Sequence, residues 1–233
     1  MKRSAGLLFL LASTLLALAQ TAAEVEITAE PHHHLVLQNK YVRVFKVEVD
    51  PKGATLMHFH RHDYVYVNLG AGEISNEVQG KPPARIKLQD GEVQFSAGNF
   101  AHLVRDLAAT PFRNLTIEFM QDEQAHRTPP PKWDEERGLD ILSGGTREIL
   151  FVKDGIRVAE TELQPGAVIP KHHHAGPHLV VAVTDFDLRS DEVGKGPSEI
   201  VLKSGEVRWF PGGYTHTVTN AGNSAKFVTL EFH

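Results

Sequence analysis

The chain has no cysteine among its 233 residues, which excludes disulfides and thiolate ligands for a metal ion. Its stability must therefore come from a buried core, and any metal site must use imidazole, carboxylate or water. Positive charge is also scarce, since 24 Lys and Arg stand against 29 Asp and Glu, giving a net charge of −5. A mildly acidic chain without a Lys/Arg cluster is not expected to bind nucleic acid or an anionic membrane surface.

Long apolar runs are missing from most of the chain, and the one apolar run, residues 6–16, follows two basic residues at the N-terminus. It closes on Ala17-Leu18-Ala19, the small-x-small pattern that signal peptidases recognise. The run is shorter than the roughly 20 residues that a membrane-spanning helix needs. We therefore predict a signal peptide over 1–23 and a mature bacterial protein, periplasmic or secreted, without a membrane partner.

The second half of the chain repeats the first half at a shift of 114 residues, so that 43–102 falls on 157–216 without a gap. The identical pairs include Arg43/Arg157, Val44/Val158, Glu48/Glu162, His58/His172, His60/His174, Glu92/Glu206, Gly98/Gly212 and His102/His216, and the ends also match, at Glu118/Glu231. We predict two copies of one domain, 24–120 and 147–233. A proline-rich, charged linker over 121–146 joins them.

Each copy has the pattern of β-structure. Residues 42–49 alternate apolar with polar side chains, as a half-buried strand does. Further strands are predicted at 65–69, 85–88, 93–95 and 115–119 in the first copy, and at 179–183, 199–202, 207–210 and 227–232 in the second. Gly, Pro, Asn and Asp separate these runs at short spacing, which predicts an all-β fold with a closed barrel or sandwich in each copy.

Histidines of the second copy have a spacing that suits a metal site. Two motifs contain them: Gly166, His172, His174 and His178, then Gly205, Pro211, Gly213, His216 and Asn220. Residues two apart on a strand share a face, so His172 and His174 can bind one ion while His173 points away. His178 has the same parity, and His216 enters from another strand. Four imidazoles leave up to two positions of a six-coordinate ion open, which suits catalysis or ligand capture.

These two motifs resemble the paired signature motifs of the cupin superfamily, and the resemblance covers essentially all of both repeats. The second motif matches at every signature position, whereas the first has His178 in place of the usual Glu and lacks its closing Gly. The resemblance implies a bicupin, with two tandem double-stranded β-helix (jelly-roll) barrels. The four histidines are similar to those of small manganese cupins. They imply a divalent transition metal in the second barrel, manganese or iron first, with nickel, copper or zinc as alternatives.

The first copy carries a weaker version of the same pattern. His58, His60 and His102 hold the equivalent positions, but the fourth position is Tyr64. In its second motif the Pro, Gly and Asn positions are occupied by Ala97, Asn99 and Asp106. Three histidines still suffice for a facial triad of the kind that binds iron. The sequence leaves open whether this barrel binds a metal or is structural.

Other conspicuous side chains receive structural interpretations. His62 shares the strand parity of His60 and is an alternative ligand, whereas Asp63 should face away. The tract His32-His33-His34 is interpreted as a polar run near the mature N-terminus. We expect Trp209 to pack in the core and Tyr214 to line the mouth of the pocket. Turn or strand roles are expected of the repeated pairs Glu92/Glu206 and Arg43/Arg157.

The missing carboxylate ligand has a chemical consequence. Four neutral imidazoles leave the full charge of the ion in place, which favours an anionic oxygen ligand such as an enolate or catecholate. Because related iron cupins and bicupins cleave phenolic or diketone substrates with dioxygen, the first hypothesis is a metal-dependent dioxygenase-type oxidoreductase. The alternatives are a non-catalytic protein that binds a small molecule, a sugar or a metal, and a metal-dependent lyase or isomerase. No catalytic residue is assigned, and a homodimer is an open alternative.

Overall fold

The computed structural model describes residues 23–120, 133–134 and 138–233. The predicted signal peptide, except for Ala23, lies outside the described residues, as does most of the predicted linker. None of the helical structure within the described ranges is long and apolar enough to cross a membrane.

The first barrel consists of two five-stranded sheets. Its elements are β1 Val25–Glu26, a 3-10 helix Ile27–Ala29, β2 His33–Gln38, β3 Val42–Val49, β4 His58–His60, β5 Tyr64–Asn68, β6 Gly72–Val78, β7 Ala84–Leu88, β8 Val93–Ser96, β9 Phe100–Asp106 and β10 Phe112–Phe119. The strand orders are β1-β4-β9-β6-β7 and β2-β3-β10-β5-β8. Phe45 and Phe112 from one sheet pack on Ile74 and Val104 from the other, so a core separates the two sheets.

The second barrel has the same strand pattern, but its described strands form one nine-stranded sheet. Its strands are β11 Trp133–Asp134, β12 Gly138–Lys153, β13 Ile156–His174, β14 His178–Ala182, β15 Phe186–Glu192, β16 Pro197–Leu202, β17 Val207–Phe210, β18 Tyr214–Asn220 and β19 Ala225–Phe232. The long strand β13 takes part in both faces, because its first half pairs with β19 and its second half with β18. The predicted all-β fold of two tandem jelly-roll barrels is confirmed.

The second barrel begins earlier than the sequence indicated. The described part of the predicted linker, 138–146, is the first half of β12, where Ser143 pairs with Val168 and Gly145 with Leu163. Two adjacent glycines look like a turn in the sequence. In the structure they allow close strand contact, since a Cβ on Gly145 would lie 2.2 Å from the carbonyl oxygen of Glu162.

The two barrels pack against each other through one apolar core. Its fully buried members include Val65, Leu115 and Ile117 of the first barrel and Val158, Leu179 and Leu230 of the second. Tyr41 stacks on Trp209 with ring centroids 5.3 Å apart, so the packing role expected of Trp209 is confirmed. Lys153, which is buried, binds Asp63 across the same contact at 2.9 Å.

Candidate metal centres

Three histidines of the second barrel converge on one point. The pairing of β13 with β18 places His172 directly opposite His216, and His174 follows two residues later on the same face. The Nε2 atoms are 3.1 Å apart for His172 and His174, 3.2 Å for His174 and His216, and 3.0 Å for His216 and His172. His173 points away, as predicted, with its Nδ1 3.0 Å from Thr215 Oγ1.

The other ring nitrogen of each imidazole is held by a neighbouring group. The partners of Nδ1 are Pro170 O at 2.7 Å from His172, Glu231 Oε1 at 3.0 Å from His174, and Ser190 Oγ at 2.7 Å from His216. A carbonyl and a carboxylate only accept hydrogen bonds, so the Nδ1 atoms of His172 and His174 donate and their Nε2 atoms carry lone pairs. Such outer partners orient metal-binding histidines in general.

The size of the Nε2 triangle fits a transition-metal ion. Lone pairs about 3 Å apart repel each other unless a cation lies between them. Two nitrogens that each bind one ion at about 2.1 Å, at a right angle, are about 3.0 Å from each other. The three separations observed therefore match three adjacent imidazole ligands of one divalent ion.

Burial keeps the imidazoles of His172 and His216 in the neutral, ligating form. Desolvation, reinforced by His172 and His174, lowers the pKa of His216 to about 3. Desolvation also lowers the pKa of His172. Burial alone would raise the pKa of Glu231, but the hydrogen bond from His174 and the nearby positive charges together outweigh it and hold that pKa at about 2. The carboxylate behind His174 is therefore ionised.

His178 lines the same cavity but lies beside the triangle. Its ring stacks on that of His174 with centroids 4.0 Å apart, and its Nε2 lies 3.2 Å from Tyr214 Oη. Among the described residues of this barrel, the donor group that lies within 4.8 Å consists of His172, His174 and His216. The structure thus brings three of the four predicted ligands together and places the fourth next to them.

The triangle opens into a cavity of about 60 Å³ with mostly apolar walls. The apolar lining consists of Ile169, Val180, Leu188, Ile200, Phe210, Val218 and Phe227. Arg147 of β12 also lines the cavity, together with Tyr214. Arg147 was not predicted from the sequence, because no matching Arg recurs in the first copy. The role of Glu231 was not predicted either, although the matching ends of the two repeats were a signal for it.

The first barrel builds the same triad from the same register. His58 lies opposite His102, and His60 follows two residues later. The Nε2 atoms of His58 and His60 are 3.1 Å apart, and those of His60 and His102 are 3.0 Å apart. Their cavity, of about 130 Å³, is larger than that of the second barrel. The three histidines that the sequence predicted here therefore do come together.

Two neighbours of this triad, Tyr64 and Asp63, lie where the sequence predicted them. Tyr64 takes the fourth place and stacks on His60 at 4.2 Å, as His178 stacks on His174. Asp63 faces away and accepts a hydrogen bond from the Gly98 N–H at 2.9 Å. His62, the alternative ligand, is buried but does not line this cavity.

A further imidazole reaches the first-barrel cavity from the N-terminal tract, so the interpretation of that tract as a polar run is wrong for His33. The His33 side chain is buried, and its ring centroid lies 4.6 Å from that of His58. Its donor atom and those of His58 and His60 all lie within 4.8 Å of one another. His34 is exposed, as a polar run requires. Alternation along β2 separates the two neighbours.

The altered second motif of the first barrel keeps the turn that positions its last histidine. Asn99 has φ 66°, close to the 81° of Gly213 at the equivalent position, and Asn is the residue that most readily replaces Gly there. Asp106 Oδ1 accepts the N–H of Ala108, as Asn220 Oδ1 accepts that of Gly222. The substitutions therefore leave the entry of His102 unchanged.

Comparison with known proteins supports this architecture. No family model matches the chain. A segment of 80 residues is 35% identical to Germin-like protein 1 of Brassica napus, which is 34% of this chain and 39% of that protein. The chain thus spans about two fifths of the length of the curated relatives it matches.

Solved structures match over much more of the chain. Oxalate decarboxylase of Bacillus subtilis superimposes with a TM-score of 0.60 at 13% identity, over 83% of this chain and 68% of that one. AerE of Microcystis aeruginosa superimposes with a TM-score of 0.58 at 11% identity, over 88% and 98%. The chain therefore shares the fold of these proteins.

The two barrels of the chain differ at two matched positions around otherwise equivalent triads. His33 pairs with Val47 in the first barrel, and Arg147 pairs with Thr161 at the same register in the second. At the other position the first barrel has a buried tyrosine and the second has His178. One cavity therefore gains an imidazole from the outer strand, while the other gains a guanidinium.

Proposed function

We propose that the protein is a metal-dependent enzyme whose second barrel oxidises a small phenolic, enol or diketone molecule with dioxygen. The triangle of neutral Nε2 atoms in a largely apolar cavity carries this proposal. His172, His174 and His216 would hold the ion, with His178 as the fourth ligand that the motif predicts. When bound, a divalent transition metal supplies Lewis acidity and open coordination positions for oxygen ligands.

The metal is proposed to be manganese or iron. Bacillus subtilis oxalate decarboxylase, whose fold this chain shares, has Mn(II) centres. Imidazole ligands suit either ion, as well as nickel, copper and zinc.

The lining of the cavity favours a substrate with one oxygen-bearing end and an apolar body. The apolar side chains would exclude water and hold the carbon skeleton. Arg147 would bind an anionic oxygen, because its planar guanidinium offers paired donors. Tyr214 Oη, whose pKa is raised by burial, stays protonated and lies 3.2 Å from His178 Nε2. This pair would fix the orientation of His178 beside the substrate.

A metal-dependent lyase is the second candidate, and Arg147 is the observation that favours it. The same guanidinium would hold a carboxylate, which a decarboxylation requires. The mostly apolar wall speaks against a small, doubly charged substrate, and this places oxidation first.

Export to the periplasm or beyond also belongs to the proposal. It rests on residues 1–23, and 1–22 lie outside the part that the structure describes.

Oxygen uptake by the metal-loaded protein tests the proposal. A panel of phenols, enols and diketones would be offered to the wild type and to His174→Ala. His173→Ala is the control, because His173 is the exposed neighbour of His174. We expect uptake with one class, its loss in His174→Ala and its retention in His173→Ala. Substrate turnover without oxygen consumption would favour the lyase, and tight binding without turnover would favour a binding protein.

A further inference from the structure

We propose that the first barrel binds a second metal ion through four imidazoles, with His33 of the N-terminal segment as the ligand that completes the set. The other three ligands are His58, His60 and His102. This site is separate from the one on which the proposed function rests, because it uses a different barrel and a ligand outside both cupin motifs.

The path of the chain delivers His33 to the cavity. Strand β1 runs parallel to β4, and Val25 pairs directly with His58. After the 3-10 helix, β2 pairs with β3 and places His33 opposite Val47. The segment thus contacts both sheets of the barrel, and His33 lines the cavity that contains the triad.

Glu30 orients the His33 ring. Its Oε2 lies 2.6 Å from His33 Nδ1, and its carboxylate also accepts hydrogen bonds from the N–H groups of His32 and Leu56. Glu30 is only 2% exposed. Because a carboxylate accepts the proton of Nδ1, Nε2 of His33 carries the free lone pair. A carboxylate behind an imidazole is the usual outer partner of a metal-binding histidine.

Three of the four rings, those of His33, His58 and His102, have an acceptor behind the imidazole. The Nδ1 atoms of His58 and His102 lie 2.9 Å from Leu56 O and 2.8 Å from Asn76 Oδ1. These contacts leave Nε2 as the inward atom of both rings, and His60 Nε2 lies 3.1 and 3.0 Å from those two atoms. A cluster of inward lone pairs in a buried cavity is stabilised by a cation.

In the second barrel, where the predicted fourth imidazole is on a different strand, the position equivalent to His33 is not a histidine. Arg147 stands at the same register, and its positive charge would repel an ion rather than bind it. The fourth histidine of that barrel is His178, on β14. The first barrel has the reverse arrangement, with Tyr64 on β5 and a histidine on the outer strand.

Metal titration isolates the first-barrel site once the second is disabled. In a His172→Ala/His174→Ala background, the metal-free protein would be titrated with Mn²⁺ by calorimetry. We expect one equivalent to bind, about tenfold or more weakly after His33→Ala, and about 10–100-fold more weakly after Glu30→Gln. His34→Ala is the matched control, since it removes the exposed neighbour on the same strand.

Pulsed electron paramagnetic resonance of Mn²⁺ bound to the background protein counts the imidazole ligands without relying on the His33→Ala variant. We expect coupling to four imidazole nitrogens in the background protein and to three after His33→Ala. Three nitrogens in the background protein, or no binding at all, would overturn the proposal. Equal affinities of the His33→Ala and His34→Ala variants would do the same. Oxygen uptake by the second barrel is measured separately, so either proposal can fail alone.

Discussion

At the scale of single residues, both barrels prepare their histidines in the same way. The first histidine of each triad donates Nδ1–H to the carbonyl two residues before it, at Leu56 and Pro170. The carboxylates of Glu118 and Glu231 lie behind the middle histidine, at 3.7 and 3.0 Å from its Nδ1. Asn76 and Ser190, which are equivalent in the repeat, hold the third. Hydrogen bonds therefore hold the first and third histidine of both triads, and in the second barrel the middle one as well.

The position of His178 yields a residue-scale prediction. We expect His178→Ala to weaken metal binding in the second barrel, because it removes the fourth ligand that the motif predicts. The loss should be smaller than in His174→Ala, since the Nε2 triangle is left intact. Metal titration of both variants, with His173→Ala as the control, measures the difference. Unchanged affinity after His178→Ala would leave a three-histidine site and contradict the four-histidine assignment.

At the scale of elements, strands with alternating apolar and polar side chains could be predicted from the sequence. Strands whose formation depends on close backbone contact with a partner strand could not. The predicted strands 42–49 and 207–210 match β3 and β17 at both ends, because their apolar residues face the core in turn. The turn role of Glu92 and Glu206 is confirmed, since each accepts the N–H three residues earlier. The strand β12 was missed because its two glycines resemble a turn until its partner strand is known.

The site residues also fall into those that the sequence could predict and those that it could not. Motif spacing predicted both triads, because period-two alternation and one cross-strand pair are enough to bring three imidazoles together. His33 and Arg147 lie on the outer strands β2 and β12, whose register depends on tertiary pairing. No local pattern separates His33 from its exposed neighbour His34. The sequence could not show which member of the tract enters the cavity.

The turn before β18 gives an element-scale prediction. A Cβ on Gly212 would lie 2.4 Å from the backbone carbon of Gly176, whereas Gly213 has open space and φ 81°. We expect Gly212→Ala to destabilise the protein by about 1–3 kcal/mol, because the backbone must shift. Gly213→Asn should change the stability far less, since Asn99 adopts the same backbone region in the first barrel. Thermal unfolding compares them, and equal losses would contradict this account.

At the scale of the whole molecule, one core joins the barrels. Buried residues of both repeats belong to a single apolar cluster, and Phe119 packs edge-on against Phe232 at 6.5 Å. Burial in either barrel is thus coupled to the stability of both, and one unfolding transition is expected. The histidines make this coupling sensitive to pH. Burial is the largest cause of the lowered pKa values of His58, His60, His102, His172, His178 and His216.

The metal-free protein should therefore lose stability as pH falls from 6.5 towards 5. Unfolded histidine binds a proton near pH 6.5, whereas folded His58 does so at about 4 and folded His216 at about 3. Between these values the unfolded state holds more protons, so the free energy of unfolding drops by up to about 1.4 kcal/mol per pH unit for each such histidine.

The carboxylates of Glu30 and Glu231 titrate below this window. Hydrogen bonds and nearby positive charges together outweigh burial and hold their pKa values at about 2, so their contribution is lost only as pH falls below about 4.5. Urea unfolding at pH 7, 6 and 5 measures the slope, and His216→Gln, which replaces one buried imidazole by a group that does not titrate, should reduce it. Constant stability over this range would show that the histidines are not held neutral by burial. A reduced slope would tie the acid sensitivity to the ligand that the second barrel uses.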